Sequence, residues 1–92
     1  MVVRSTEQFA KELKKCPREI QIDVIQVLEK IELVEDLLLI SNIKKLRGFK
    51  NYYRYKTGPW RIGLELLKNT VKVCIARSIG PRGDFYKYFP PV

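Results

Sequence analysis

Histidine does not occur in this sequence, and cysteine occurs only at positions 16 and 74. The absence of histidine excludes histidine-dependent catalytic triads and most zinc sites. Two isolated cysteines cannot complete a structural zinc site by themselves, and such residues are most often small buried side chains in a reducing compartment. The alternatives are a disulfide or a catalytic thiol. We therefore expect neither a metal nor a cofactor.

Long apolar runs are missing as well. The longest candidate covers residues 37–40, far below the roughly 18 residues that a membrane-spanning helix needs. The first residues also lack the apolar region of a signal peptide. Because 92 residues are enough for one small domain only, we expect a single domain over residues 1–92, in the cytoplasm and without a membrane partner.

Acidic residues are scarce in the second part of the chain. Residues 37–92 contain 12 basic and 2 acidic side chains, whereas residues 1–36 contain 6 basic and 8 acidic ones. A localised basic field that includes aromatic residues favours binding to nucleic acid or another polyanion. The alternative is charge that serves solubility alone.

Two helices are predicted in the first third of the chain. Ser5 and Gln8 have the spacing of a capping box, which predicts a helix over about residues 6–15. Pro17 ends that helix and suits the first turn of the next one. The second helix carries an apolar stripe at helical spacing, formed by Ile20, Val24, Val27, Leu28 and Ile31. Together the two helices form a hairpin with one apolar side.

Strands dominate the second half of the chain. Alternating apolar and polar residues predict three strands, over about residues 50–56, 60–67 and 71–78. The turns between them are expected at Thr57-Gly58-Pro59 and at Lys68-Asn69-Thr70. Residues 1–4 read as a short edge strand.

Two segments are harder to read. Residues 33–48 either continue the second helix or begin a short third one. Residues 80–83 read as a turn-rich hinge, followed by a short C-terminal tail or helix. The fold class is therefore α+β, with the helical hairpin packed on one face of a small antiparallel sheet and the other face free.

Strand parity collects cations on the free face. Side chains alternate across a strand, so Arg54 and Lys56 point away from the core and so does Arg61 on the next strand. A short loop would place Lys56 opposite Arg61 and Arg54 opposite Gly63. Like charges across strands are unfavourable, and a glycine inside a strand often marks the close approach of a ligand. The alternative is a solvated face on which Glu65 serves as counter-ion.

Three runs of the sequence are informative together: FAKELKKCPREIQIDVIQVLEKIE, KKLRGFKNYYRYKTGPWRIGLEL and GDFYKYFP. They resemble the RelE/ParE superfamily of toxins from type II toxin–antitoxin systems. The first looks like the helical hairpin of that family, the second is similar to its K-L-x-G, Y-R and W/Y-R-I segment, and the third resembles its C-terminal element. The similarity covers nearly the whole chain and implies a RelE-like fold.

The resemblance implies a ribosome-dependent endoribonuclease that cleaves mRNA, with the ribosome, the message and a cognate antitoxin as partners. The alternatives are a ParE-like toxin that inhibits DNA gyrase without nuclease activity, or a degenerate member that only binds nucleic acid. By motif position, the catalytic residues of RelE-like enzymes fall on Arg54, Lys56, Arg61, Arg82 and Tyr86. A surface that contacts ribosomal RNA phosphates is expected at Lys44, Lys45, Arg47 and Lys50, which otherwise read as a solvated connection.

The chemistry of these side chains suggests a division of roles. Arginine stays charged and fits a phosphate bidentately, so Arg61 and Arg82 would stabilise the charge of the transition state. Lys56 would act as base if neighbouring cations lower its pKa. Tyr86 is the other acid or base candidate, or else a base-stacking or packed tail residue. The remaining aromatic residues of this region, Phe49, Tyr53 and Trp60, are expected in the core.

Overall fold

The computed structural model describes residues 1–68 and 70–91. Along the chain, a short strand is followed by two helices, four strands and a final helix. The elements are β1 (Val2–Ser5), α1 (Glu7–Lys14), α2 (Arg18–Glu32), a 3₁₀ turn (Leu37–Leu39), β2 (Ile43–Lys45), β3 (Tyr52–Thr57), β4 (Trp60–Lys68), β5 (Lys72–Pro81) and α3 (Arg82–Tyr88). The α+β fold class is confirmed. Asn69, the centre of the second predicted turn, lies outside the described residues.

The first helix begins one residue later than the capping-box pattern predicts. Thr6 is the N-cap, and its Oγ1 accepts a hydrogen bond from the N–H of Phe9 at 3.1 Å. The predicted cap at Ser5 is therefore wrong, because Ser5 is the last residue of β1 and its backbone continues the sheet. The second helix begins after Pro17, as predicted.

The helical hairpin packs on one face of the sheet. Along α2 the apolar stripe buries Val24, Val27 and Ile31. The sheet supplies the facing side chains of the core, among them Tyr53, Tyr55, Ile62, Leu64, Leu66, Cys74 and Ala76. This packing confirms the predicted core side of β4 and the core positions of Tyr53 and of Trp60, which packs against the cluster.

The sheet has five strands, in the order β1-β5-β4-β3-β2. Strands β3, β4 and β5 form the predicted antiparallel meander. The strand β1 is an edge strand, as expected, and it runs parallel to β5. Residues 33–48 form neither a continued nor a third α-helix. They form the 3₁₀ turn and the edge strand β2, which pairs antiparallel with β3.

The second face of the sheet is not free. The helix α3 lies on β4 and β5 and buries Phe85, and Phe89 just beyond it is also buried. The predicted hinge at residues 80–83 is also wrong, since β5 runs to Pro81 and α3 begins at the next residue. Pro81 suits this junction because the backbone there is extended and the first turn of a helix does not require its missing N–H.

Two features are absent from the described residues. No helix within residues 1–68 and 70–91 is long and apolar enough to cross a membrane. In the same part of the chain, no three His, Cys, Asp or Glu side chains come together in a way that could hold a metal ion.

Candidate functional site

The central hairpin has the register that strand parity predicts. Lys56 lies opposite Arg61, and Arg54 lies opposite Gly63. The innermost strand pair is Thr57 with Trp60, so the turn itself consists of Gly58 and Pro59. Gly58 has a positive φ of 54°, a backbone conformation that glycine adopts without the penalty of a side chain.

The strand β2 adds a further cation to this side of the sheet. Lys44 lies directly opposite Arg54, so both side chains project from the same face. Together with Lys56 and Arg61 they form what we call the cationic face (Lys44, Arg54, Lys56 and Arg61). The sequence did not place Lys44 there, because a strand of three residues leaves too short a pattern to recognise.

The predicted RNA-binding residues divide between different surfaces. Lys44 belongs to the cationic face, whereas Lys45 lies opposite Tyr53 and so has the parity of the other sheet face. Arg47 and Lys50 are exposed on the connection between β2 and β3. These four residues therefore do not form one continuous row.

Arg61 is the buried member of the cationic face, with only 6% of its surface exposed. Its Nη1 donates to the carbonyl oxygens of Gly58 at 2.8 Å and of Trp60 at 3.0 Å. The expectation of a solvent-facing arginine is therefore wrong at this position. A guanidinium can be buried in this way because the turn carbonyls replace part of its hydration. Holding the hairpin turn is thus one role of Arg61.

The other members of the cationic face are more accessible. Lys44 and Lys56 are exposed, and Arg54 is half-buried. Arg54 donates from Nη1 to the carbonyl oxygen of Asn42 at 3.3 Å, which anchors the side chain beside β2. The accessible positive charge of this face therefore comes from two lysines and one partly anchored arginine.

The helix α3 brings Arg82 to the turn end of the cationic face. The backbone N–H of Arg82 donates to the carbonyl oxygen of Pro59 at 2.9 Å. Next to this contact, Gly80 on β5 lies opposite Arg61. The side chain of Arg82 is exposed. Two sequence-distant predictions, the hairpin cations and Arg82, thus come together in space.

Tyr86 lies one helical turn after Arg82, on the same side of α3. It is 46% exposed, and its ring meets the neighbouring Phe85 ring edge-on, with centroids 4.9 Å apart. Tyr86 is therefore not a core residue, and its hydroxyl group lies on the accessible side of the helix that carries Arg82.

The proposed counter-ion of the cationic face has another partner. Glu65 accepts from Nε of Arg77 in an ion pair on β4 and β5. The second ion pair found within the described residues joins Lys87 to Asp84 on α3. Neither pair includes a member of the cationic face, so its charges are not neutralised by a carboxylate in the part of the chain that the structure describes.

Gly63 has a different explanation from the one its sequence position suggests. The group that approaches its backbone is the ring of Phe89, not a ligand. The two cysteines, in contrast, are as expected: both are free and buried. Burial raises the pKa of the Cys74 thiol to about 12, which is the behaviour of an inert structural thiol.

A scan against protein-family models finds no match for this chain. Over 93 residues the chain is 36% identical to a protein from Methanocaldococcus jannaschii named Toxin RelE3, an alignment that covers 98% of this chain and 100% of that protein. The chain belongs to the RelE toxin family. The family resemblance of the hairpin and of the C-terminal element is thereby confirmed.

Solved structures of RelE proteins share this fold. The RelE-like structure in a RelB-RelE antitoxin-toxin complex from Methanococcus jannaschii has a TM-score of 0.78 and 33% identity, covering 95% of this chain and 99% of that one. A RelE-RelB complex from Pyrococcus horikoshii gives a TM-score of 0.71 at 22% identity, covering 89% of this chain and 94% of that one. At that lower identity the likeness concerns the fold alone.

Proposed function

We propose that this RelE protein is the toxin of a type II toxin–antitoxin module and that it cleaves mRNA on the ribosome. The observation that carries the proposal is that α3, the helix of Arg82 and Tyr86, begins at the turn end of a cationic face that has no carboxylate partner among the described residues. A cluster of cations without a carboxylate partner in the described part of the chain, with a tyrosine on the adjoining helix, suits a phosphodiester substrate. The proposed catalytic residues are Arg54, Lys56, Arg61, Arg82 and Tyr86.

The proposed reaction needs no metal. The 2′-hydroxyl of the message loses its proton and attacks the adjacent phosphorus, and the bond from phosphorus to the 5′-oxygen breaks as that oxygen takes up a proton. In this proposal Lys56 takes the proton from the 2′-hydroxyl, and Tyr86 gives its phenol proton to the leaving 5′-oxygen. Arg54 and Arg82 offer N–H donors to the phosphate oxygens as negative charge develops. Arg61 is the fifth proposed catalytic residue. It also holds the hairpin turn by donating to the Gly58 carbonyl oxygen, and Arg82 donates its backbone N–H to the next carbonyl of that turn, that of Pro59.

The ribosome is recognised through charge in this proposal. Lys44, Lys45, Arg47 and Lys50 are exposed, and they would contact ribosomal RNA phosphates rather than particular bases. Because they lie on different surfaces of the sheet and its β2–β3 connection, they can contact separate RNA strands around the site.

A cognate antitoxin is the proposed protein partner. The solved relatives from Methanococcus jannaschii and Pyrococcus horikoshii are complexes of RelE with RelB. A protein that covers the cationic face here is expected to be acidic where it touches it, because like charges across an interface are strongly unfavourable.

The test is translation in vitro with primer extension along the message, using wild type, Lys56→Ala, Arg82→Ala and the control Lys11→Ala. Lys11 is an exposed cation on α1, on the opposite face of the sheet. We expect discrete cuts in the ribosomal A site with wild type and Lys11→Ala, and a rate loss of about 100-fold in the other two variants. Inhibition of translation without cuts would refute the nuclease, and inhibition of gyrase supercoiling would support the ParE-like alternative.

A further inference from the structure

The segment from Phe85 to Phe89 is tied to the sheet through a single glycine. Gly63 is buried in the middle of β4, opposite Arg54 on one side and Ser78 on the other. A Cβ added to Gly63 would lie 2.6 Å from Cδ1 and Cε1 of Phe89 and 2.8 Å from its Cγ. These distances are shorter than any real side chain tolerates, so the Phe89 ring rests directly on the β4 backbone.

The requirement for glycine at this position is steric and not conformational. The positive-φ glycines among the described residues are Gly48 and Gly58, and Gly63 is not one of them. Any residue could adopt the backbone of Gly63, but its side chain would occupy the space of the ring. A glycine weakens the interior of a strand. Here that loss is offset by the packing of the Phe89 ring on the backbone of Gly63, and we call this packing position the seat of Phe89.

Phe89 is fixed from several sides in this seat. It is 2% exposed, and its N–H donates to the carbonyl oxygen of Phe85 at 3.1 Å. Its ring centroid lies 5.4 Å from that of Tyr52 on β3 and 5.2 Å from that of Phe85. The ring of Tyr52 in turn meets Phe49 at 5.9 Å. Phe89 therefore joins the end of the C-terminal helix to both central strands.

The helix α3 depends on such anchors for its position. It has seven residues, fewer than an isolated helix needs to be stable in water. Its beginning is held by the hydrogen bond from Arg82 to Pro59, and its end by the ring of Phe89. Tyr86 lies between these two fixed points, so the orientation of its side chain depends on both of them.

We infer that Phe89 is a positioning residue: seated on Gly63, it holds α3 so that Tyr86 faces the substrate phosphate. The inference rests on the proposed nuclease function and adds a residue that touches no substrate. It predicts that loss of the ring, or a methyl group in its seat, displaces Tyr86 while the helical hairpin and the meander stay folded.

The first measurement is the rate of message cleavage by Phe89→Ala, Gly63→Ala and the control Phe9→Ala. Phe9 is equally buried at 2% exposure, but it packs on the opposite face of the sheet. We expect kcat to fall about 100-fold in the first two variants with KM within about twofold, because the ribosome-binding cations are untouched. Phe9→Ala should lower the melting temperature and, well below it, leave kcat unchanged. If Phe9→Ala loses as much kcat as Phe89→Ala, the effect is general destabilisation and the inference is wrong.

The second measurement combines each variant with Tyr86→Phe. Removal of the Tyr86 hydroxyl should lower kcat by the same factor in wild type and in Phe9→Ala. In Phe89→Ala the same change should lower kcat little further, since the hydroxyl has already left the site. An equal cost in Phe89→Ala and in wild type would show that Tyr86 is placed without Phe89 and would overturn the inference.

The third measurement tests the seat itself. The ring and an added methyl group at position 63 compete for the same space, so the double variant Gly63→Ala with Phe89→Ala should lose no more kcat than Phe89→Ala alone. A product of the two single losses would contradict a shared seat.

Amide hydrogen exchange tests the packing of Phe89 on Gly63 independently of the proposed nuclease function. The amide of residue 89 should lose protection in Phe89→Ala and in Gly63→Ala, but not in Phe9→Ala. Unchanged protection would refute the seat whatever the activity. If protection is lost as expected while wild type cleaves no message, the seat stands, and the proposed function falls together with the positioning role.

Discussion

At the scale of single residues, Tyr55 links the helical hairpin to the sheet. Its side chain is buried on β3, and its hydroxyl donates to Oδ2 of Asp23 on α2 at 3.1 Å. Burial, followed by the hydrogen bond to Asp23 and the charge of that carboxylate, raises the pKa of Tyr55 to about 12. The folded protein therefore favours the protonated, neutral form of Tyr55.

This pKa shift gives the protein a pH-dependent stability in the alkaline range. An unfolded tyrosine ionises near pH 10, whereas the folded Tyr55 keeps its proton to about pH 12. The stabilisation is complete below pH 10 and is lost as the pH rises from 10 to 12, because only the unfolded state gives up the proton there. Tyr55→Phe should lower the free energy of unfolding by about 1.5–3 kcal/mol at pH 8.

Urea unfolding at pH 8 and pH 11 measures both effects of Tyr55→Phe. The variant should lose less stability than wild type between the two pH values, since the shifted group is gone. Tyr88→Phe is the control, because Tyr88 is 74% exposed, and it should behave like wild type. If wild type and Tyr55→Phe lost the same free energy of unfolding between pH 8 and pH 11, the pKa of Tyr55 would not be raised in the folded protein.

At the scale of secondary structure, Thr6, which follows β1, joins α1 to β5 through one hydroxyl group. Its Oγ1 accepts from the N–H of Phe9 and donates to the carbonyl oxygen of Arg77 at 3.0 Å. Thr6→Ala should therefore cost about 1–2 kcal/mol of stability in a urea titration. Ser5→Ala removes the hydroxyl that the sequence pattern favoured and should change stability by less than about 0.5 kcal/mol. A larger loss in Ser5→Ala than in Thr6→Ala would contradict the observed cap.

The same scale explains which parts of the fold the sequence predicted. The order of strands β3 to β5 and the pairing of Lys56 with Arg61 were predicted correctly, because β3 and β4 each have six or more residues on either side of a short turn. The end of β5 was missed, since the strand continues to Pro81. The strand β2 was missed since it has three residues.

The packing of the C-terminal helix on the second face of the sheet, and the reason for Gly63, were missed for a different reason. Phe85 and Phe89 are a single helical pair, too short to establish a period. The explanation of Gly63 is a ring far along the chain. Such pairings arise from tertiary packing, and no local pattern encodes them.

At the scale of the whole molecule, charge is divided between the first third of the chain and the rest. The helical hairpin belongs to a segment with more acidic than basic residues, whereas residues 37–92 carry 12 basic and 2 acidic side chains. Polyanions should therefore meet the sheet, its connections and α3 before they meet the helical hairpin. Association driven by this field weakens as salt screens it.

Binding to ribosomes should show this division as a salt dependence. Lys50→Gln and Lys45→Gln should each reduce the slope of log affinity against log salt concentration by about 0.7, the value for one lost contact to single-stranded phosphate. Lys15→Gln, an exposed cation between α1 and α2, should leave the slope unchanged. Equal slopes in all three variants would show that the ribosome does not contact the predicted residues.

The pairing of β1 with β5 has a consequence for the order in which the protein is made. Val2 lies opposite Val73, so residues 3–72 must be synthesised before the first strand can find its partner. Contacts between such distant parts of a chain form slowly and late. Because α3 follows β5 along the chain, Arg82 and Tyr86 are synthesised only after all five strands. The ribosome that translates this protein therefore holds, for most of that time, a chain whose proposed active surface does not yet exist.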